Sequence, residues 1–284
     1  MARPARDDWV VRVPTSSANL GPAFDALALA LDVHLEVAPD PDRSAPETHP
    51  AVRAFRQAGG VGPISVRVRF PGGRGLGFSG AARVGGLAAA YAQQGEDVEA
   101  ARFDILRAAG DLEGHFDNVA ASIFGGIVAV AAGHAVRIAL PRELAVVVWI
   151  PDHETSTPAA RRLLPEQVSF EDAAFNVGRT ALLVAALAAG DDAALRVATE
   201  DRLHQDRRLA RAPDTRDAID AALAAGALAA WLSGSGPTAA ALVEPEQAAA
   251  VSSALPRGGR AEVLGIAPTG VTVTTRDRPA RDEG

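Results

Sequence analysis

The sequence predicts an α+β chain built in two units. Short alternating apolar runs of strand length lie among longer small-residue runs that lack proline, and the two kinds follow one another in mixed order. A length of 284 residues suits two cores of about 100 to 200 residues better than one. The boundary is placed near residue 145, giving units 1–145 and 146–284.

The first element is WVVRV at 9–13, which is rich in β-branched residues and runs into Pro14 and the loop TSSANLGPAFD. A second apolar run covers 26–37. Ile64, Val66, Val68 and Phe70 alternate with Ser65, Arg67 and Arg69, the period of a half-buried strand. GGRGLGFSGAARVGG, 72–86, follows directly. Residues 79–94 are small, apolar and free of proline, so a helix starts from this loop, although Gly85 and Gly86 weaken it.

Residues 103–112 read as a helix, and GHFDNVAASIFGG, 114–126, as a loop entering a second small-residue helix. Runs 127–130 and 144–150 are strand-like, while 173–189 and 192–204 are helical by composition and period. The GSGP loop at 234–237 lies between two apolar strands, and 270–274 supplies a late strand. The tail RDRPARDEG is expected to be disordered.

Composition excludes several functions. Hydrophobic residues at 48% and charged residues at 22% describe a folded chain. A net charge of −7 without any basic block excludes duplex nucleic acid as a partner. All 28 basic residues are Arg, so no Walker-type, Schiff-base or phosphate-clamping Lys exists. Without Cys there is no disulfide, thiolate nucleophile or Cys metal site. The opening MARPARDDWVVRV has no secretion-type apolar run, and the longest apolar stretch, 123–133, is too short to cross a bilayer. A soluble cytoplasmic protein with no membrane partner is expected.

A strand, a glycine loop and a helix N-terminus make an anion site, because unpaired N–H groups and the helix dipole point at the ligand. Alone, the loop leaves ATP, a dinucleotide and a plain turn open. A dinucleotide fold wants a long parallel alternation and an acidic residue about twenty positions on. Glu96 or Asp97 would have to serve, but Gln93, Gln94 and Gly95 look like a helix end.

Three further stretches accompany the loop in order: VPTSSANLGPAFDALALAL from Val13, EGHFDNVAASIFGG from Glu113 and WLSGSGPTAAALV from Trp231. Together they resemble the GHMP small-molecule kinases, with their PATSANLGPGFD-like start, GLGSSAA-like phosphate loop, GHPDNVAPALLGG-like segment and SGSGPT-like third motif. Among these the homoserine kinases are the most similar. The resemblance continues through 150–187 and EDRLHQDRRL, 200–209, and spans 10–245.

The resemblance implies a GHMP-kinase-like two-domain fold, ribosomal-S5-domain-2-like in its N-terminal half and ferredoxin-like in its C-terminal half. It implies ATP-dependent phosphorylation of the side-chain hydroxyl of L-homoserine to O-phospho-L-homoserine in threonine biosynthesis, with Mg²⁺. Another small hydroxy acid as acceptor, or a ligand-binding member without phosphoryl transfer, stay as alternatives. Mevalonate-type enzymes rely on a Lys in the first motif, and this chain has none. A homodimer is left open.

By the same resemblance, Arg74, Gly75, Leu76, Gly77, Phe78, Ser79, Gly80 and Ala81 hold the triphosphate. Ser79 and Glu113 hold the metal, with Asp111 in reserve, since Mg²⁺ takes a carboxylate plus other oxygens. Asn19, Asp25, His115, Asp117 and Asn118 face the substrate amine and hydroxyl. Arg161 and Arg208 face its carboxylate, which a planar guanidinium grips at both oxygens. Gly234 allows close backbone approach. Asp25, Asn118 and Arg161 are the catalytic candidates; Asp25 and Asp117 could each accept the hydroxyl proton, and no general base is assigned.

Plainer readings stand beside these. Asn19 and Asp25 suit turns and caps without any ligand, His115 and Asp117 suit a helix cap, and Arg161 and Arg208 each sit beside a second Arg. The pattern is broken at Phe78, where the family has the first Ser of GLGSS, and at Ala23, where it has Gly. APETHPAVRAF, 45–55, offers no match to the Asn that often contacts the nucleoside.

Overall fold

The computed structural model describes residues 8–69 and 72–275. Phe70 and the tail 276–284, both read above, lie outside the described residues. The architecture is α+β, as expected, with two antiparallel sheets.

Strands β1 (Trp9–Ala18), β2 (Leu27–Pro39), β3 (Ile64–Val68), β4 (Ile127–Ala131) and β5 (His134–Ile138) lie in the first half of the chain. Strands β6 (Ala145–Pro151), β7 (Ala229–Leu232), β8 (Ala239–Val243) and β9 (Gly259–Gly265) form a four-stranded sheet ordered β7-β8-β6-β9. The last strand, β10 (Thr272–Thr275), then returns to the first sheet and pairs with β1. That sheet is ordered β10-β1-β2-β4-β5, with β3 also on β2.

Helices α1 (Pro50–Gln57), α2 (Phe78–Gln94), α3 (Arg102–Glu113) and α4 (Asp117–Phe124) cover one face of the first sheet. In the second half come α5 (Thr157–Arg161), α6 (Phe170–Ala189), α7 (Asp192–Ala198), α8 (Gln205–Leu209), α9 (Pro213–Ala224) and α10 (Ala248–Ala254).

Among the described residues, three larger cores stand beside a small cluster of Ala18, Ala28, Ala30, Ala121 and Ala267. In the first, Val11, Val13, Leu35 and Val37 meet Phe55, Val84, Leu106 and Ile123 of the four helices. The second joins the two halves: Leu27, Leu29 and Leu31 of β2 pack on Val146, Val148 and Leu264, with Leu183 and Leu187 of α6. In the third, Val147 and Trp149 face Ala218 of α9 and Val251 of α10. Strand β6 thus buries both faces, which is why AVVVWI reads as an unbroken apolar run.

The structure departs from the sequence reading at several points. Strand β1 does not end at Pro14 but continues to Ala18, because the β1–β2 register shifts between Pro14 and Thr15 instead of stopping. A proline has no N–H for the ladder and is accommodated at such an irregularity. The same shift lets β2 serve two cores with residues of one parity.

The helix expected over 192–204 stops at Ala198, where the Thr199 N–H closes on the Leu195 carbonyl. Asp201 then accepts the N–H groups of Leu203, His204 and Gln205 and starts α8. Helix α1 was not expected at all. His49 caps it by accepting the Ala51 N–H, and Pro50 sits at its first turn. A Cβ on Gly86 would lie 2.1 Å from the Ala51 carbonyl oxygen, so this glycine marks the close contact of α1 with α2.

Among the described residues one helix, α6, is long and apolar enough to cross a membrane by length and composition. Asn176, in its second turn, is buried and donates to the Pro22 carbonyl and to Asp201.

Candidate active site

The glycine loop leads from β3 into α2 and is clamped from two sides. Gly75 and Gly77 are left-handed, with φ of 76° and 64°, a region glycine enters without a side-chain penalty. A Cβ on Gly77 would stand 2.0 Å from Ser16 Oγ, and one on Gly75 2.6 Å from the Ser233 carbonyl oxygen. The Ser16 N–H donates to Leu76 O at 3.2 Å, and the Ser233 hydroxyl to Gly75 O at 2.6 Å. Strand β1 and the 233–236 loop therefore fix the cradle before any ligand arrives.

Helix α2 opens at Phe78 with no side-chain cap and no acid in its first turn. Its first N–H groups are those an α-helix leaves without an internal partner, which suits an anion. Ala81 of the expected cradle is fully buried and its N–H donates to Gly77 O, so it faces the core. Arg74 donates to the carbonyls of Pro151 and His153 at 2.6 and 3.0 Å, anchoring the loop. The Phe78 ring meets the His49 ring edge-on at 5.7 Å and lies beside Gly72, so it packs toward α1 while its backbone starts the helix.

From this loop a chain of charged groups runs across the cleft. Ser79 Oγ donates to Glu113 at 3.0 Å, Glu113 lies 3.7 Å from His115, and His115 Nδ1 is 2.6 Å from Asp117. Asp117 also accepts the Asn118 N–H at 2.7 Å, and Asn118 Oδ1 accepts from Ser16 at 2.8 Å. Burial alone would lower the pKa of His115. The bond to Asp117 and the charges of Asp117, Glu113 and Asp25 outweigh it and raise the pKa above the ordinary value.

The chain ends at Asp25, whose two carboxylate oxygens accept from Arg161 at 2.8 and 2.9 Å. Phe24 lies beneath both cations, 5.4 Å from the Arg161 guanidinium and 5.2 Å from that of Arg208. Asn19 and Arg208 both donate to the Gly234 carbonyl, at 3.0 and 3.1 Å. Burial, with Arg161 nearby, lowers the pKa of Arg208 to about 10, so it keeps its charge at neutral pH.

Glu113, His115, Asn118 and Gly234 thus line one pocket with the glycine loop, and Asn19, Asp25, Asp117, Arg161 and Arg208 join it through direct contacts behind them. An anionic group at the helix start and a small molecule bearing both charges would meet between them.

Residues 48–126 match the family model described as "GHMP kinases N terminal domain", and residues 183–261 match "GHMP kinases C terminal". A protein named "Homoserine kinase" from Thermus thermophilus is 44% identical, over 89% of this chain and 94% of its own. The chain belongs to the GHMP kinase family. A homoserine kinase structure from Cytophaga hutchinsonii superposes with a TM-score of 0.81 at 26% identity, covering 95% of this chain and 98% of that one. A Leishmania major mevalonate kinase in complex with R-mevalonate shares the fold, with a TM-score of 0.66 at 17% identity over 95% of this chain and all of that one. As a GHMP kinase the chain has the family's two-domain fold and uses ATP as phosphoryl donor.

Among the described residues of this GHMP kinase, two groups in the cleft present ligand atoms to a cation. Asp25, His115 and Asp117 bring theirs within 4.8 Å of one another. Asp25 is held by Arg161, however, and Asp117 by His115 and Asn118. Glu113 with Ser79 is the all-oxygen set, a carboxylate and a hydroxyl beside the phosphate end, and its chemistry fits Mg²⁺.

Sequence reasoning missed the supports behind these groups. His204 Nε2 donates to Gly21 O at 2.8 Å and its Nδ1 lies 3.3 Å from Arg208, which fixes the neutral ring with the proton on Nε2. Asp201 and Asn176 complete this support, and together they hold the 19–25 turn. There Asn19, Leu20 and Asp25 take positive φ, a strain that surrounding bonds must sustain. EDRLHQ contains a helix-starting Asp, which was the available signal. Arg83, which contacts both Ser79 and Glu113, gave no signal in a helix of small residues.

Proposed function

We propose that this GHMP kinase transfers the γ-phosphoryl group of ATP to the side-chain hydroxyl of L-homoserine, giving O-phospho-L-homoserine on the route to threonine. The observation that carries the reading is the Asp25–Arg161 pair, which reaches the α2 cradle through His115: ligand atoms of Asp25, His115 and Asp117 lie within 4.8 Å of one another, and His115 lines the pocket with the glycine loop. A carboxylate and a guanidinium in mutual contact are the two halves of a site for a zwitterion: an α-amino acid presents an ammonium to Asp25 and a carboxylate to Arg161. Mevalonate has no ammonium group to offer Asp25. The names of the relatives support the same acceptor.

Phosphoryl transfer asks for positioning and charge compensation more than for covalent chemistry. The backbone N–H groups at the start of α2 hold the phosphates. Glu113 and Ser79 would hold Mg²⁺, which when bound offsets phosphate charge. Arg161 and Asp25 orient the amino acid, while Asn19 and Asn118 direct its hydroxyl. Arg208 adds positive charge at the carboxylate end and fixes the Gly234 carbonyl. A chain without Cys that consumes ATP is proposed to work in the cytoplasm, as a homodimer or a monomer.

One ADP-release assay with L-homoserine, L-threonine, L-serine, mevalonate and pantoate tests the reading. Turnover with homoserine, dependent on added Mg²⁺, is expected. No turnover with homoserine, or faster turnover with any other acceptor, rejects it.

A further inference from the structure

The geometry points to Arg83 as a built-in counter-cation of the metal site, holding Glu113 while no divalent ion is bound and turning to the nucleotide phosphates when the ion takes its place. This rests on the reading of the cleft as a Mg–ATP site.

Arg83 lies on α2 one turn beyond Ser79, and its Nη1 contacts both Ser79 Oγ and Glu113 Oε2. Ser79 donates to that same Glu113 oxygen. The Glu113 side chain is only 10% exposed and that of Arg83 23%. A carboxylate so sheltered is costly to keep ionised alone, and a guanidinium offsets the cost. The cations elsewhere in the cleft face other partners: Arg74 has backbone carbonyls, Arg161 has Asp25, and Arg208 has Gly234 and His204. Arg83 is therefore the cation assigned to the phosphate end of a protein that contains no Lys.

A divalent ion and a guanidinium cannot both take the same carboxylate oxygen, so the two compete for Glu113. Once displaced, the guanidinium is tethered on the first turns of the helix whose N-terminus faces the phosphates. Its planar fork matches their oxygens. Metal alone must break the Arg83–Glu113 pair without recompense, whereas metal with nucleotide gives Arg83 a new anion. Metal and nucleotide binding are thereby coupled.

Mn²⁺ is the probe, titrated by electron paramagnetic resonance into the nucleotide-free, full-length protein. Arg83→Gln is expected to bind Mn²⁺ about tenfold more tightly than the wild type, and Glu113→Gln to bind it more weakly than either. By calorimetry at saturating Mn²⁺, where the ion has already displaced Arg83 from Glu113, Arg83→Gln should bind ATP about tenfold more weakly than the wild type, and Arg83→Lys should recover most of that loss. Equal or weaker Mn²⁺ binding by Arg83→Gln overturns the exchange. Unchanged affinity for ATP at saturating Mn²⁺ overturns the phosphate contact. Both readouts are independent of the acceptor, so loss of homoserine turnover would reject the proposed reaction and leave them standing. Circular dichroism of each variant separates these outcomes from misfolding, and Arg83→Met replaces Arg83→Gln if the latter does not fold.

Discussion

Ser16 Oγ lies 2.0 Å from the point where a Cβ on Gly77 would stand. The hydroxyl is not free to leave, because it donates to Asn118 Oδ1 at 2.8 Å. Gly77→Ala therefore meets a fixed neighbour as well as a left-handed backbone, which alone costs about 1–2 kcal/mol for an L-residue. The variant is expected to unfold at lower denaturant and to lose ATP turnover by more than about 100-fold, since a cradle displaced by a fraction of an ångström no longer holds the phosphate in line. Denaturant melts and ADP release measure the two effects.

Arg161→Ala leaves Asp25 without its partner and the substrate carboxylate without its fork. A charged hydrogen-bonded contact of about 1.5–3 kcal/mol corresponds to a rise in the homoserine KM of roughly 10- to 100-fold, with the KM for ATP changed far less. Steady-state kinetics with each substrate varied in turn checks the split. A rise in both KM values to the same degree would show that Arg161 acts on the fold and not on the acceptor.

Phe78 is the visible departure from the family's phosphate loop, and its ring stacks edge-on to His49 at the start of α1. Phe78→Ser is expected to lower stability by about 1–2 kcal/mol through lost apolar burial. It should leave kcat within about twofold, because the first helical N–H survives the change. A clear gain in rate or in Mg²⁺ affinity would instead show that the missing hydroxyl limits this enzyme.

His204 gives the fold a pH dependence of known sign. Burial, reinforced by Arg208, lowers its pKa from the ordinary 6.5. Above that value the ring is neutral in both folded and unfolded chains, so its contribution is fully present. As pH falls through 6.5 the unfolded chain takes up a proton that the folded ring refuses, and stability drops. Urea midpoints between about pH 7.5 and 5.5 should therefore fall more steeply for the wild type than for His204→Gln.

Much of the site was legible because its signals are local. The glycine spacing after an alternating strand, followed by a proline-free run, placed the cradle and the start of α2 within a residue. The pairing of Asp25 with Arg161 joins positions 136 apart in the chain, and no spacing rule reaches that far; the two residues entered separately, through resemblance to a family, and their contact was not foreseen. Helix α1 stayed hidden because eight residues, capped by His49 and opening on Pro50, carry too short a period to read. Strand β5 was masked by His134 and Arg137, which are tolerated because its side chains are largely exposed. Arg83 was invisible for the opposite reason: its meaning lies wholly in the partner that α3 brings to it.

The return of β10 to the first sheet bears on how the molecule is made. Val11 pairs with Val273, Val271 is buried in the first core, and a Cβ on Gly270 would lie 2.0 Å from the Ile123 carbonyl oxygen. During synthesis domains tend to fold from the N-terminus onward, yet here the cradle-bearing half must wait on the ribosome for one of the last strands to emerge. A cut after Pro268 would remove no residue of the cleft and would still expose the Trp9–Arg12 edge of β1. The two halves of this kinase are thus completed together, and a nascent chain holds no finished glycine-loop half before the segment carrying Arg161 and Arg208 has also been made.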